Sequence, residues 1–181
     1  MDISGEIPFE IPDSWSFARL GSIAELYTGN SISEAEKRSQ YTNVSGMDYI
    51  STKDVGFDSS ITYDNGVSIP DDLQQDFKVA KAGSVLMCIE GGSAGRKIAV
   101  TDRDICFGNK LCCFSPYANI ARYVFFYLQA PAFFDVFQQS KTGIIGGVSV
   151  NTLKGLITAI PPEREMSRIV AKLDSLPENL R

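Results

Sequence analysis

The 181-residue chain contains no histidine. That absence removes the imidazole base on which serine and cysteine hydrolases depend, and the commonest metal ligand with it. Any catalysis would have to rest on carboxylates, lysine or tyrosine. Cysteine is scarce as well. Cys88, Cys106, Cys112 and Cys113 lie in apolar, strand-like stretches without a C-x-x-C pair, so they read as buried reduced thiols and no metal site is expected. No apolar run is long enough to cross a bilayer, and Met1 to Glu6 has neither the positive start nor the apolar centre of a secretory signal, so a cytoplasmic chain with no membrane contact is expected. An Asn-Pro-Pro-Tyr-type run and a Gly-rich dinucleotide fingerprint are both missing, which leaves no sign of methyl or hydride transfer. The net charge of −5 excludes a nucleic-acid binder that is basic all over. It leaves room for a local basic face: acids concentrate in Asp2 to Glu36 and Asp48 to Asp76, whereas Arg96, Lys97, Arg103, Lys110, Arg122 and Lys141 dominate the middle.

What is present suggests one domain with a terminal appendage. The leading segment, with Pro8 and Pro12, reads as extended up to Trp15, expected in the core. Leu20 to Tyr27 is a short helix-or-strand segment, Ser31 to Val44 is polar enough for a surface loop, and Met47 to Ser51 alternates like a strand. Asp64-Asn65-Gly66 is a turn signal of the hairpin type. Val85 to Ile89 is a fully apolar strand, with Ile98 to Thr101, Ile105 to Phe107 and Leu111 to Ser115 as its expected sheet neighbours. Asn119 is placed to cap a helix reaching about Ala130, and Pro131 opens a second one to Gln139. The aromatic set Tyr123, Phe125, Phe126, Tyr127, Phe133, Phe134 and Phe137 spans both helices and leaves little polar face, as a core does. Asn151 is the expected cap of a further helical turn, Leu156 to Ile160 reads as a buried strand, and Pro161-Pro162 stops it. Met166, Ile169, Val170, Leu173 and Leu176 then recur at helical spacing. That stripe either folds back on its own domain or packs on another helix. Fold class is therefore α+β: a curved mixed or antiparallel sheet with packed helices, followed by the start of a long C-terminal helix.

Four loops carry groups able to read a nucleic acid. Gly91-Gly92-Ser93-Ala94-Gly95-Arg96-Lys97 follows a strand but lacks the glycine-lysine-hydroxyl order of a nucleotide loop. It leaves a turn with two cations, the Ser93 hydroxyl and free backbone N–H groups, suited to a phosphate or a guanine edge. Lys53-Asp54, Asn109-Lys110 and Lys141-Thr142 each join a hydrogen-bonding group to a cation beside an expected strand. Gly143, Gly146 and Gly147 let a backbone approach a ligand closely. For any one of these alone a solvated loop is the commoner explanation; convergence would make a base-reading surface. A second constellation, Asp71, Asp76 and Lys78, imitates the carboxylate-lysine set of metal-dependent nucleases. Its spacing speaks against it, because Asp72 to Gln75 are too few for strand, turn and strand.

Taken in order, several segments resemble one target-recognition domain of the DNA-specificity subunits of type I restriction-modification systems. They are Ile7-Pro8-Phe9-Glu10-Ile11-Pro12-Asp13-Ser14-Trp15 with Arg19-Leu20-Gly21, then Tyr49 to Asp54, Ala82 to Leu86, Gly91 to Lys97, Phe107 to Lys110, Thr142-Gly143, and the Leu156 to Ile169 run. Met166 departs from the glutamine usual in that family. The resemblance implies a recognition domain over 1–160 and the start of a conserved spacer helix over 161–181. It implies that the chain reads half of a bipartite double-stranded DNA target through Lys53, Ser93, Arg96, Lys97, Asn109, Lys110, Lys141, Thr142 and Gly143. It implies docking of methyltransferase subunits, and through them a restriction-translocase subunit, with Met166, Ile169, Val170, Leu173 and Leu176 as the helix interface and self-association there also open. S-adenosylmethionine, ATP and magnesium would belong to those partners, and the chain itself would be non-catalytic. Complete members carry two recognition domains, so this chain reads as a fragment or a half-length subunit. Two alternatives stay open at this point, the metal-dependent nuclease and an assembly adaptor that binds protein but not DNA.

Overall fold

The computed structural model describes residues 9–143 and 146–176. The leading Met1 to Pro8 segment, Ile144-Ile145 within the glycine loop, and the chain from Pro177 onward lie outside them. In chain order the elements are β1 (Ser16–Arg19), α1 (Leu20–Ile23), β2 (Ala24–Thr28), α2 (Glu34–Glu36), β3 (Met47–Ile50), β4 (Ser68–Ile69), β5 (Val79–Ala80), β6 (Val85–Cys88), β7 (Ile98–Val100), β8 (Ile105–Phe107), β9 (Leu111–Pro116), α3 (Ala121–Gln129), α4 (Pro131–Gln139), α5 (Val150–Gly155), β10 (Ile157–Ile160) and α6 (Glu163–Asp174). The class is α+β, and among the described residues the strands divide among three sheets. One is antiparallel, in the order β2-β9-β6-β7; one is mixed, β4-β3-β8-β5, with β3 and β8 parallel; the third is the antiparallel pair β1-β10.

The apolar run of β6 has a plain cause in this layering. Alternate residues of a strand point to opposite faces. Val85 and Met87 enter a core shared with Leu20, Leu26, Phe114, Val124, Leu128, Phe133 and Phe137, while Leu86 and Cys88 enter a second core with Ile50, Ile105, Phe107 and Leu111. The same division runs along β9, where Cys112 and Phe114 face the helices and Leu111 and Cys113 face the other sheet. Both faces are covered, so neither strand needs polar residues. Ile105 to Phe107 is correspondingly not a neighbour of β6. It pairs with β3 and β5 instead, the chain crossing to the second sheet at Asp102 to Asp104, where Asp104 meets Lys81 at 2.7 Å; Ile105 and Phe107 then fill the second core.

Local chemistry explains the other departures. Ser31 to Val44 is no plain loop: Ser33 and Glu36 form a reciprocal capping box that opens α2, which continues as a π-helical turn over Lys37–Tyr41. Asp64-Asn65-Gly66 turns the chain, with Gly66 at φ +77°, but joins no tight hairpin; the Asn65 side chain accepts from the Val67 N–H and donates to the Tyr49 carbonyl. Helix α3 begins after Ile120 without a side-chain cap, so Asn119 does not serve as one, and Ser149 rather than Asn151 caps α5. All four cysteines are buried thiols. Burial alone holds the Cys106 thiol up at about 11.

Trp15 is half-buried rather than central. Its indole N–H donates to Glu165 at 3.0 Å, which pins the chain at Trp15 to α6. The Tyr127 hydroxyl donates to the Ile157 carbonyl at 2.6 Å and Tyr123 to that of Ala159, so α3 holds β10 and aims the helix that follows. On α6, Met166 is buried against the chain's own domain, flanked by the Trp15–Glu165 bond and the Arg122–Asp174 ion pair. Met166 is thus largely engaged with its own domain, and it lines the groove that Arg122 and Val170 share. Ile169, Val170, Leu173 and Leu176 are half-buried.

Candidate nucleic-acid interface

The β6–β7 hairpin sets the geometry of the site. Its open end, at Gly83 and Val100, meets Arg122 of α3 and Val170 of α6 in a groove of about 900 Å³. Its closed end is the Gly91 to Lys97 loop. Because β9 runs antiparallel to β6, with Leu111 opposite Cys88, the Asn109-Lys110 turn also reaches the closed end. The loops able to meet DNA and the helix able to meet protein thus sit at opposite ends of the hairpin.

Hydrogen bonds stitch the four loops into one surface. Lys97 Nζ donates to the Thr52 carbonyl at 2.9 Å, which fastens the glycine loop beside Lys53. Lys110 Nζ lies 3.2 Å from Glu90 Oε1, and the Ile89 N–H donates to the Lys110 carbonyl at 3.0 Å. The Gly91 N–H donates to Gly146 at 3.1 Å and the Val148 N–H to Ile89 at 3.0 Å, while Thr142 and Gly147 exchange N–H···O bonds of 2.9 and 3.1 Å. Lys141 stands over the Phe137 ring at 5.8 Å. Gly143 and Gly146 have φ +77° and +69°, a region glycine enters without cost. Gly95, at φ +77°, carries the Gly91 to Lys97 loop across α4, where an added Cβ would stand 2.7 Å from the Phe137 ring.

Two hollows mark this surface. Lys53, Asn109 and Lys110 line one of about 310 Å³ with Lys37, Tyr49 and Thr52; Thr142, Gly143, Gly146 and Glu90 line another of about 710 Å³. Electrostatics agree with the crowding of cations. Burial raises the Cys88 thiol; its bond to the Glu90 carbonyl and the Lys97 and Lys110 charges pull it the other way, against the Glu90 carboxylate. The Glu34 carboxyl is lowered first by its hydrogen bond to Lys37, with Lys53 and Arg38 adding to the effect. Lys53, Arg96, Asn109, Lys110, Thr142 and Gly143 are exposed, and Ser93, Lys97 and Lys141 are half-buried. Sequence reasoning overlooked Lys37 and Arg38, although the Ser33 to Glu36 capping-box spacing was there to be read as a helix start.

The nuclease set does not come together. Asp71 accepts from Gln74 Nε2 at 2.7 Å, Asp76 ends a 3₁₀ turn, and Lys78 is exposed beyond it. Among the described residues no group of three acidic, cysteine or histidine side chains is placed to hold a metal. None of their helices is long and apolar enough to cross a membrane.

A mixed α+β scaffold that gathers cationic loops at one end of a hairpin and packs a helix at the other has the layout of a recognition module. The chain belongs to the family described as the type I restriction modification DNA specificity domain, which matches residues 12–180. It is 24% identical over 180 residues to the type I restriction enzyme EcoAI specificity subunit of Escherichia coli, a match covering 94% of this chain and 30% of that protein. The chain thus spans about a third of the length of this relative. Its fold is similar to that of the HsdS subunit from Thermoanaerobacter tengcongensis, with a TM-score of 0.69 and 24% identity over 92% of this chain and 38% of that one. It is also similar to a chain solved in work on assembly and conformational transition of the type I R-M system, with a TM-score of 0.72 and 23% identity over 92% of this chain and 39% of that one.

Proposed function

We propose that this chain is a sequence-specific reader of double-stranded DNA that selects half of a bipartite target for a type I restriction-modification complex. The observation that carries this reading is the convergence of Lys53, Ser93, Arg96, Lys97, Asn109, Lys110, Lys141, Thr142 and Gly143 on one surface, supported by membership of the family. Arginine and lysine suit guanine edges and phosphates, and asparagine suits adenine, so such a surface can both hold a duplex and distinguish its bases. In this reading 1–160 is the recognition domain and 161–181 begins the spacer. Ile169, Val170, Leu173 and Leu176 meet a methyltransferase subunit or a second recognition domain's helix. Methylation, translocation and cutting, with their S-adenosylmethionine, ATP and magnesium, fall to partner subunits, and this chain contributes choice of sequence without chemistry, in the cytoplasm.

The separation of loops and helix by the length of the hairpin makes the two roles independently testable. Ile169→Glu with Leu173→Glu is expected to abolish co-purification with the methyltransferase subunit while duplex binding by the chain itself stays within about twofold of wild type, since distant sites act additively. An assembly adaptor would behave otherwise: the helix variant would lose its partner, and neither it nor wild type would bind duplex above background.

A further inference from the structure

Phe57 is a large apolar side chain left 62% exposed, and it is not left so by a slack loop. Val55 and Ile61 form a bridge at the loop's base, with Val55 fully buried. The Gly56 N–H donates to Ser60 at 2.9 Å and the Thr62 N–H to Asp54 at 2.8 Å. The Asp58 carboxylate accepts from both the N–H and the hydroxyl of Ser60, at 3.1 and 2.6 Å, and this closes the turn around Ser59 at φ +65°. The ring is held out on a braced tip. Arg96 stands 5.3 Å and Lys97 5.2 Å from its centroid. An apolar group ringed by cations suits a polyanion with apolar features better than it suits another protein's core.

We infer that Phe57 is a specificity-determining contact whose rim meets the C5-methyl of a thymine in the major groove, while Arg96 and Lys97 engage the neighbouring guanine or phosphate. This deepens the DNA-reading role proposed above and rests on it. Apolar contact with the thymine methyl is an established way to tell that base from the other three. A wedge between base steps is the competing use of such a ring. Here Arg96 and Lys97 crowd the ring, so a base stacking on the face they occupy would have to displace them, while the 62% exposure of the side chain leaves room for a contact along its rim.

The test uses the chain assembled with its methyltransferase partner and a duplex carrying the half-site selected by the wild type. Each thymine in that half-site is replaced in turn by uracil, which differs only by the methyl. One replacement is expected to weaken the wild type about fourfold, the effect of one buried methyl. Phe57→Ala is expected to weaken the thymine duplex by the same factor and to be indifferent to uracil at that position, with its melting temperature unchanged. Phe57→Leu should retain part of the response. The inference is overturned if the half-site holds no thymine, if Phe57→Ala weakens all duplexes alike, or if it keeps the full uracil response. It is equally overturned if 2-aminopurine fluorescence reports a base step unstacked by wild type and not by Phe57→Ala, the mark of a wedge. Failure of the DNA-reading role itself looks different, because wild type would then select no half-site at all.

Discussion

Arg96→Ala is expected to weaken binding to the selected duplex by about tenfold to a hundredfold, the range for one guanidinium that reads a base edge. Arg96 is exposed at the closed end of the β6–β7 hairpin, its guanidinium donates to the Gly92 carbonyl, and its backbone is fixed by the Ser93 carbonyl at 3.0 Å. The side chain is therefore positioned before DNA arrives, and its removal costs a contact already organised. Measuring affinity against a panel of single-base variants separates the two uses of the charge. Loss of preference at one position marks base reading. A uniform loss across the panel, with the slope of log affinity against log salt reduced by about one, marks a phosphate contact. Lys110→Ala should show a smaller effect, because Glu90 at 3.2 Å already offsets part of its charge. An Arg96→Ala protein that binds and discriminates as wild type would remove the glycine loop from the DNA surface.

Gly29→Ala is expected to destabilise the fold by about 3 kcal/mol, the upper range for inserting an atom into a packed interior. An added Cβ would stand 1.8 Å from the Phe107 carbonyl oxygen and 2.4 Å from its carbonyl carbon, and both are backbone atoms that no rotamer change can move. The close approach is needed because the Asn30 N–H donates to that same oxygen at 2.9 Å, and Tyr49 Oη donates to the Asn30 carbonyl at 2.8 Å. These bonds join the end of β2 to Gly108, immediately before Asn109-Lys110. For a domain of this size the expected fall in melting temperature is about 6–12 °C. Gly83→Ala is the matching control: nothing lies within 4 Å of its Cβ, and only φ +84° opposes a side chain. It should cost about 1–2 kcal/mol. If Gly29→Ala melts no lower than Gly83→Ala, the contact between β2 and Phe107 is misplaced.

Much of this architecture was legible in the chain, for identifiable reasons. Pro131 at the start of α4, the aromatic helices and the Pro161-Pro162 stop are local signals, and local signals survive folding. The α+β class followed from them together with the short apolar strands. What could not be read was the assignment of strands to sheets. Ile105 to Phe107 has the same apolar pattern whether it pairs with β6 or with β3, and its actual partners, Tyr49-Ile50 and Val79-Ala80, lie too far away in sequence for any local pattern to name them. The fully apolar strands announced burial on two faces without saying that two separate cores would share β6 and β9. The stripe on α6 was plain, but its division between a buried Met166 and the half-buried residues after it depends on packing beside α3 and the end of β10, which lie elsewhere in the chain.

The site divides in the same way. Its loops were found from residue type, because glycine, asparagine and lysine beside a strand end carry a chemical meaning in isolation. Their convergence rests on bonds such as Lys97 to Thr52 and Gly91 to Gly146, which join residues that no spacing rule connects. Phe57 escaped notice because a lone phenylalanine near a buried valine reads as core; it takes the fold to show that Val55 points in and Phe57 out.

The central claim is that one end of this molecule chooses a DNA sequence. Its most direct test is selection from a pool of random duplexes by the chain assembled with its methyltransferase partner, run in parallel with a variant carrying Arg96→Ala, Asn109→Ala and Lys110→Ala. The account predicts that wild type enriches one short motif of a few base pairs and that the triple variant, folded to the same melting temperature, enriches none. Enrichment of the same motif by both proteins, or of no motif by wild type, would contradict it.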